Sequence, residues 1–431
     1  MKHRFLFVAP LLLSGCPAPG ANSMTEPVIL PVSAPASPGK SFDYQTAAAR
    51  AKDAAPMVAA QNDFGARLVS QLQGKNDPTK NLLISPTSLW QALALAESGG
   101  KGETKTQMQT LLGMQTLPDG KVGAANRAFN ALLAEQKGAS ISVANSLWFT
   151  DKFRPNPTFV KDAASNFGAG VETFPEGDPA QGAARINEWV SAHTQKEIPK
   201  IVNEGDVTGM SALLVNAVYF RGGWRDPFDK SQTKPAPFHL EGGASIQVPT
   251  MHAEREHAYL SGESFEGASL PYDNTGCALW VLLPKTGKKA DDVFKELGGD
   301  KAAKFYGRGS VVMSLPRFEI EWKDNLKTEL AGMNAPLPFD PKADFSAMGE
   351  PVGAIAEVIH VCKMRVDEEG TVAAAATVTG MAGAAAPMPE EPKVLKFDRP
   401  FVVALVEGTS GARLFEGVVN NPSTNNPSAP K

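Results

Sequence analysis

Hydrophobic and polar positions divide the chain into an early part with helical spacing and a later part with strand spacing. Phe64, Leu68, Val69 and Leu72 recur at three- and four-residue intervals, the signature of an amphipathic helix. Leu82 to Ile84 reads as a short strand, and Ser85 then caps a helix opening with Pro86, where a missing amide proton costs nothing. Leu89, Trp90, Leu93 and Ala94 give that helix an expected buried stripe, and Gly99-Gly100 end it. Thr104 with Gln107 has the spacing of a capping box for a further helix, and Ile186, Trp189 and Val190 mark another. Ile141 to Phe149, Ala212 to Phe220 and Val311 to Leu315 read as buried strands. No internal repeat is evident, and helices early with strands late predict an α+β fold.

One stretch breaks this pattern. After the strand-like run Val358 to Val366 come Asp367, two further acids and a glycine, and from Gly370 to Ala386 neither charge nor proline interrupts small or β-branched residues. A surface loop of that length is ordinarily polar, because exposed apolar segments promote edge-to-edge pairing. In alternation, Thr371, Ala373, Ala375, Thr377 and Thr379 share one face, and Val372, Ala374, Ala376, Val378 and Gly380 the other. Either face could enter a sheet without burying a charge, which would cost several kcal/mol. Gly370 supplies a hinge. Taken by themselves, the same residues also fit an alanine-rich linker.

Other segments decide between these readings. Glu368-Glu369-Gly370-Thr371-Val372-Ala373-Ala374-Ala375-Ala376-Thr377 closely resembles the reactive-loop hinge of inhibitory serpins. Further matches follow in the family's order: Asn81 to Leu89 (NLLISPTSL), Leu214 to Trp224 (LVNAVYFRGGW), Phe397 to Phe401 (FDRPF) and Phe415 to Pro422 (FEGVVNNP), so that the resemblance spans about residues 50 to 422. It implies three β-sheets with surrounding helices, an exposed reactive loop over about residues 368–392, and a monomer needing no cofactor. It further implies a suicide-substrate inhibitor held in a covalent complex with a serine protease. Ser85, Ser88, Asn216 and His360 match the family's polar shutter beneath the strands that must part, and Trp224 matches the tryptophan where insertion begins. The residue-level alternatives are plain helix capping for Ser85 and a satisfied core histidine for His360.

The family's usual spacing from the first hinge acid leads from Glu368 to a reactive bond at Ala384-Ala385. Small residues on both sides suit an elastase-like or subtilisin-like protease. Pro387-Met388-Pro389-Glu390-Glu391-Pro392 lengthens the trailing segment, and counting back from Phe397 moves the bond toward Met388 or Pro389.

The amino terminus adds an address. Met1-Lys2-His3-Arg4 is basic and Phe5 to Leu13 apolar but too short to span a bilayer, which reads as an export signal over residues 1–15. Leu13-Ser14-Gly15-Cys16 resembles a bacterial lipobox, implying lipidation at Cys16 and anchoring at a bacterial outer membrane or cell surface; the alternatives are an ordinary signal peptide and an incidental thiol. Residues 16–45, with six prolines among Ala, Ser and Gly, form an extended tether of roughly 3 Å per residue. The body then covers residues 46–422, and 423–431 is a tail. Cys277 and Cys362 lie in apolar runs, favouring buried thiols over a bridge.

Composition adds exclusions. With a net charge of −4, a pI near 6.0 and no run of Lys and Arg, the chain lacks a nucleic-acid footprint. His252 and His257 are five residues apart, the wrong spacing for a helical zinc motif, and no metal site is expected. No G-x-S-x-G elbow, P-loop or G-x-G-x-x-G is present. Two rivals remain from the sequence: a non-inhibitory serpin that binds or is merely cleaved, and a lipoprotein hydrolase with a scattered triad.

Overall fold

A computed structural model describes residues 42–75, 77–115, 117, 120–256, 258–298, 310–371 and 391–423. The first helix, Tyr44–Gln73, buries Phe64, Leu68, Val69 and Leu72 as their spacing predicts. It opens slightly before the expected start of the body, because Asp43 caps it by accepting the Gln45 and Thr46 amides at 3.0 and 3.2 Å.

Ser85 caps the helix Pro86–Ser98, accepting the Ser88 amide at 3.3 Å. The expected stripe widens here: every residue from Pro86 to Glu97 is buried. The helix is enclosed between strands of two sheets, Ala139–Thr150 and Ala212–Gly223 on one side and Ala412–Val419 on the other, so it has no solvent face. The expected capping box at Thr104 is not formed. The next helix starts earlier, at Gly102, and Thr104 and Gln107 use their side-chain oxygens to accept the amides of Asp344 and Leu337, each at 2.9 Å. Tertiary partners have taken over groups that local spacing assigned to a helix end.

The central sheet carries, in spatial order, Phe318–Asn325, Glu357–Val366, Ala212–Gly223, Ala139–Thr150 and Gly170–Phe174, with Gly370–Thr371 entering between the second and third. One face covers the buried helix. The other packs Leu213, Val215, Ala217, Ile359 and Val361 against Ile186 and Val190 of the helix Pro179–His193 and against Ile198, Ile201, Val202 and Val207 after it. Two further large sheets belong to the α+β body, a six-stranded one with the hairpin Phe401–Glu407 and Ala412–Val419 among its inner strands and a four-stranded one edged by Lys393–Lys396; to the three expected sheets the fold adds a two-stranded ribbon of Arg154–Pro155 and Gly349–Glu350. Cys277 and Cys362 are buried free thiols. His252 lies in the strand Ser245–Arg255, with Nδ1 3.0 Å from Ser314 Oγ, and His257 falls outside the described residues.

Candidate functional site

The strands Glu357–Val366 and Ala212–Gly223 define the site. Over Glu357 to Lys363 they pair directly and in parallel with Leu213 to Tyr219. Beyond that they separate, and Gly370 and Thr371 lie between them, Thr371 opposite Val366 on one side and Gly222 on the other, antiparallel to both. The sheet therefore has an occupied top and a closed middle.

Sheet register explains the middle. Asn145, Asn216 and His360 stand in one cross-strand row and face the amino end of the buried helix. His360 Nε2 accepts the Ser85 amide at 3.1 Å, so Nδ1 carries the proton and donates to Asn216 Oδ1. Asn216 Nδ2 in turn donates to Ser88 Oγ and Asn145 Oδ1. The Cys362 thiol donates to His360 Nε2 at 3.1 Å. The four shutter residues expected from sequence are thus joined into one buried network, and two more belong to it. Asn145 was signalled only as an amide within an apolar strand run, and Cys362 by nothing beyond its place two residues after His360. Burial drives the His360 pKa down to about 3, so the imidazole stays neutral, and burial raises the Cys362 thiol.

The top is built differently. Trp224 Nε1 donates to the Asp367 carbonyl at 2.8 Å, and its ring stacks on Tyr272 with centroids 4.6 Å apart. Tyr272 OH meets Thr371 Oγ1 at 2.6 Å, both groups buried. The amides of Trp224 and Phe228 donate to the Glu369 and Glu368 carbonyls, each at 2.9 Å. Gly370 fits because a Cβ there would lie 2.1 Å from the Gly222 carbonyl oxygen. Its side-chain-free approach to the neighbouring strand is what the position requires.

Charge holds the acids of this segment. The buried Glu368 carboxylate accepts from Thr233 Oγ1 and from Arg317 Nε at 2.7 Å and Nη2. Burial alone would raise its pKa, but the Arg317 and Thr233 bonds outweigh that and hold it below the ordinary carboxylate value. Glu369 pairs with the exposed Lys230, and Asp367 with Arg365 at 3.2 Å. Tyr272, Thr233 and Arg317 lie far from the hinge in sequence and carried no signal of this role.

The family model described as serpin (serine protease inhibitor) matches residues 59–422. The chain belongs to the serpin family. Serpins are in general protease inhibitors, and a rice relative, Serpin-Z2A of Oryza sativa subsp. japonica, is 30% identical over 84% of this chain and 96% of its own. An uncharacterised serpin-like protein of Thermococcus kodakarensis is 31% identical, covering 85% of this chain and 86% of its own. Among solved structures, the thermophilic serpin tengpin in its native state is 28% identical with a TM-score of 0.75, covering 84% of this chain and 94% of that one. Arabidopsis AtSerpin1 in its native stressed conformation, at 22% identity, shares the fold with a TM-score of 0.76, over 86% of this chain and 99% of its own. Of the hinge named from sequence, Gly370 and Thr371 lie in the central sheet and Glu368 and Glu369 in the bend that leads into it. Val372 to Thr377, Ala384, Ala385, Met388 and Cys16 lie outside the described residues.

Proposed function

We propose that this serpin is a suicide-substrate inhibitor of elastase-like serine proteases. The observation that carries the reading is the short Gly370–Thr371 strand, already antiparallel to both neighbours where the sheet is open, with a directly paired segment below it. The protease serine would attack the Ala384 carbonyl. The bond to the Ala385 nitrogen breaks, that nitrogen leaves as a protonated amine, and an ester joins Ala384 to the protease. Cleavage frees the uncharged residues after Thr371 to continue the same strand downward, replacing one parallel ladder by two antiparallel ones. Serpins are a standing example of such strand addition.

The direction is favourable by magnitude. Roughly a dozen new ladder bonds at about 1 kcal/mol net each give on the order of ten kcal/mol, offset in part by the parallel bonds lost. Loss of one oxyanion-hole donor costs a protease about 3 to 4 kcal/mol of transition-state stabilisation, so insertion has enough free energy to distort the attached enzyme and stall deacylation.

Mixing the purified chain with an elastase should yield a covalent complex that survives a denaturing gel and releases a carboxy-terminal peptide beginning at Ala385. A peptide beginning at Pro389 would move the bond to Met388, and rapid cleavage with no complex would favour a non-inhibitory serpin. Because Thr371 is already enclosed against Tyr272, an arginine there would disturb the uncleaved molecule as well. Ala375→Arg is the cleaner test: it should convert the inhibitor to a substrate, since a guanidinium would have to enter the sheet. An undiminished complex yield from that variant would sink the insertion mechanism. We also propose lipid anchoring through Cys16; Cys16→Ser should move the chain from the membrane fraction to the soluble one, and continued membrane retention would refute it.

A further inference from the structure

Beside the hinge clamp lies a cavity of about 650 Å³ that the inhibitory mechanism does not use. Its volume falls in the range of small-molecule sites. Trp224, Phe228 and Tyr44 supply aromatic walls, and Arg255, at the end of the strand Ser245–Arg255, is its one basic side chain without an ion pair among the described residues. The Arg255 guanidinium lies over the Phe228 ring, 4.7 Å from the centroid, and its buried Nη2 makes no hydrogen bond. Asp226 acts on it from beyond ion-pair distance and is itself 3.2 Å from Arg225 Nε.

These features define a ligand. A half-buried guanidinium with no carboxylate within ion-pair distance among the described residues has its desolvation only partly offset by Asp226, and a single anionic group entering the cavity would offset the rest. The aromatic walls favour a flat apolar body on that anion. Glu254 and Glu256 are exposed at the rim, so they disfavour polyanions and leave a monoanion as the better match.

We propose that this cavity binds a small aromatic carboxylate through Arg255, and that the bound ligand steadies the uncleaved hinge. The coupling is short. The main-chain amides of two wall residues, Trp224 and Phe228, hold the carbonyls of Glu369 and Glu368, and the Trp224 ring stacks on Tyr272, whose hydroxyl holds Thr371. A ligand pressed against those walls restricts the motions by which the hinge would leave them. The site stands whether or not the chain traps proteases.

The test uses 2-naphthoate as probe and its neutral amide, 2-naphthamide, as the matched control, titrated calorimetrically into the full chain at neutral pH. Saturable binding of naphthoate, at least tenfold weaker for the amide and at least tenfold weaker in Arg255→Gln, is expected, with Arg225→Gln close to the parent protein. No saturable heat, equal affinity for acid and amide, or unchanged affinity in a folded Arg255→Gln would overturn the site. Should Arg255→Gln fail to fold, Phe228→Leu should weaken naphthoate severalfold, and undiminished binding in that variant counts against the proposal equally. Hydrogen exchange reads the coupling: saturating naphthoate should slow the Trp224 and Phe228 amides, and binding without that protection would overturn the effect on the hinge.

Discussion

The top and the middle of the central sheet solve the same problem, holding two strands in place, with opposite chemistry. In the middle, His360, Asn216, Asn145 and Ser88 form a neutral network closed off from water. At the top, the hinge is held by carboxylates, with Glu368 gripped by Arg317 and Thr233 and Glu369 by Lys230. A buried neutral network is costly to break because each lost partner leaves a polar group stranded in low dielectric. A half-solvated ion pair exchanges easily for water. The region where a strand must start entering thus has an outer layer of contacts to exposed cations that release cheaply, outside the buried Tyr272–Thr371 and Trp224–Asp367 bonds, while the region that must open only afterwards is sealed by buried contacts alone. The apolar cluster of Ile198, Ile201 and Val202 against Val215 and Ile359 seals the middle from its other face.

The largest way to break this contrast is Asn216→Ala. It strands His360 Nδ1 and leaves Ser88 and Asn145 only their 3.3 Å bond to each other, and we expect a loss of about 3 kcal/mol, read from the denaturant midpoint. A loss under about 1 kcal/mol would show that the network is not what closes the middle.

Acid is the next lever. The folded pKa of His360, about 3, is below its ordinary 6.5, so the unfolded chain takes up the proton first. Stability from this group is therefore complete above pH 6.5 and falls as pH drops toward 3, by about 2 kcal/mol at pH 5. Glu368, with its pKa lowered, works in a different window: its contribution is present above the ordinary carboxylate value of 4.5 and fades as pH falls through the lower folded value. Comparing pH 7 with pH 5 leaves Glu368 out and reads His360 together with His193, whose pKa burial also lowers. His360→Gln should flatten that interval, and an unchanged slope would assign the acid sensitivity elsewhere.

At the top the effects should be smaller. Glu368→Gln keeps the shape but removes the charge facing Arg317, whose side chain is nearly half in solvent; we expect a cost of about 1 kcal/mol and faster exchange of the Phe228 amide. Lys230→Ala, at the exposed end of its pair with Glu369, should leave the unfolding midpoint where it was. If Lys230→Ala proved as damaging as Asn216→Ala, the division into a tight middle and a releasable top would be wrong.

Much of this was legible along the chain. Ser85 followed by Pro86 is a complete local instruction for a helix start, and the strands around Asn216 and Val311 announce themselves as apolar runs. The serpin motifs named Ser88 and His360, which the fold joins through Asn216, and Trp224, which it sets apart at the top of the same sheet. Thr104 and Gln107 show the limit: their spacing fits a capping box, yet two distant amides, from Asp344 and Leu337, claim their oxygens. Local propensity is worth about 1 kcal/mol at such a cap and loses to buried partners of similar strength.

By itself, the sequence determined which segments could be helix, which could be strand, and that an uncharged stretch after Gly370 could enter a sheet. Those properties depend on residues a few positions apart, where backbone sterics and side-chain polarity act directly. Only the tertiary structure decided which partners each group would meet. Register brought Asn145 to Asn216, folding brought Tyr272 under Trp224 and Arg317 to Glu368, and packing left Arg255 facing a cavity with no carboxylate within ion-pair distance among the described residues. These pairings join residues some fifty to seventy positions apart, and their energies depend on burial and distance, which the order of residues does not specify.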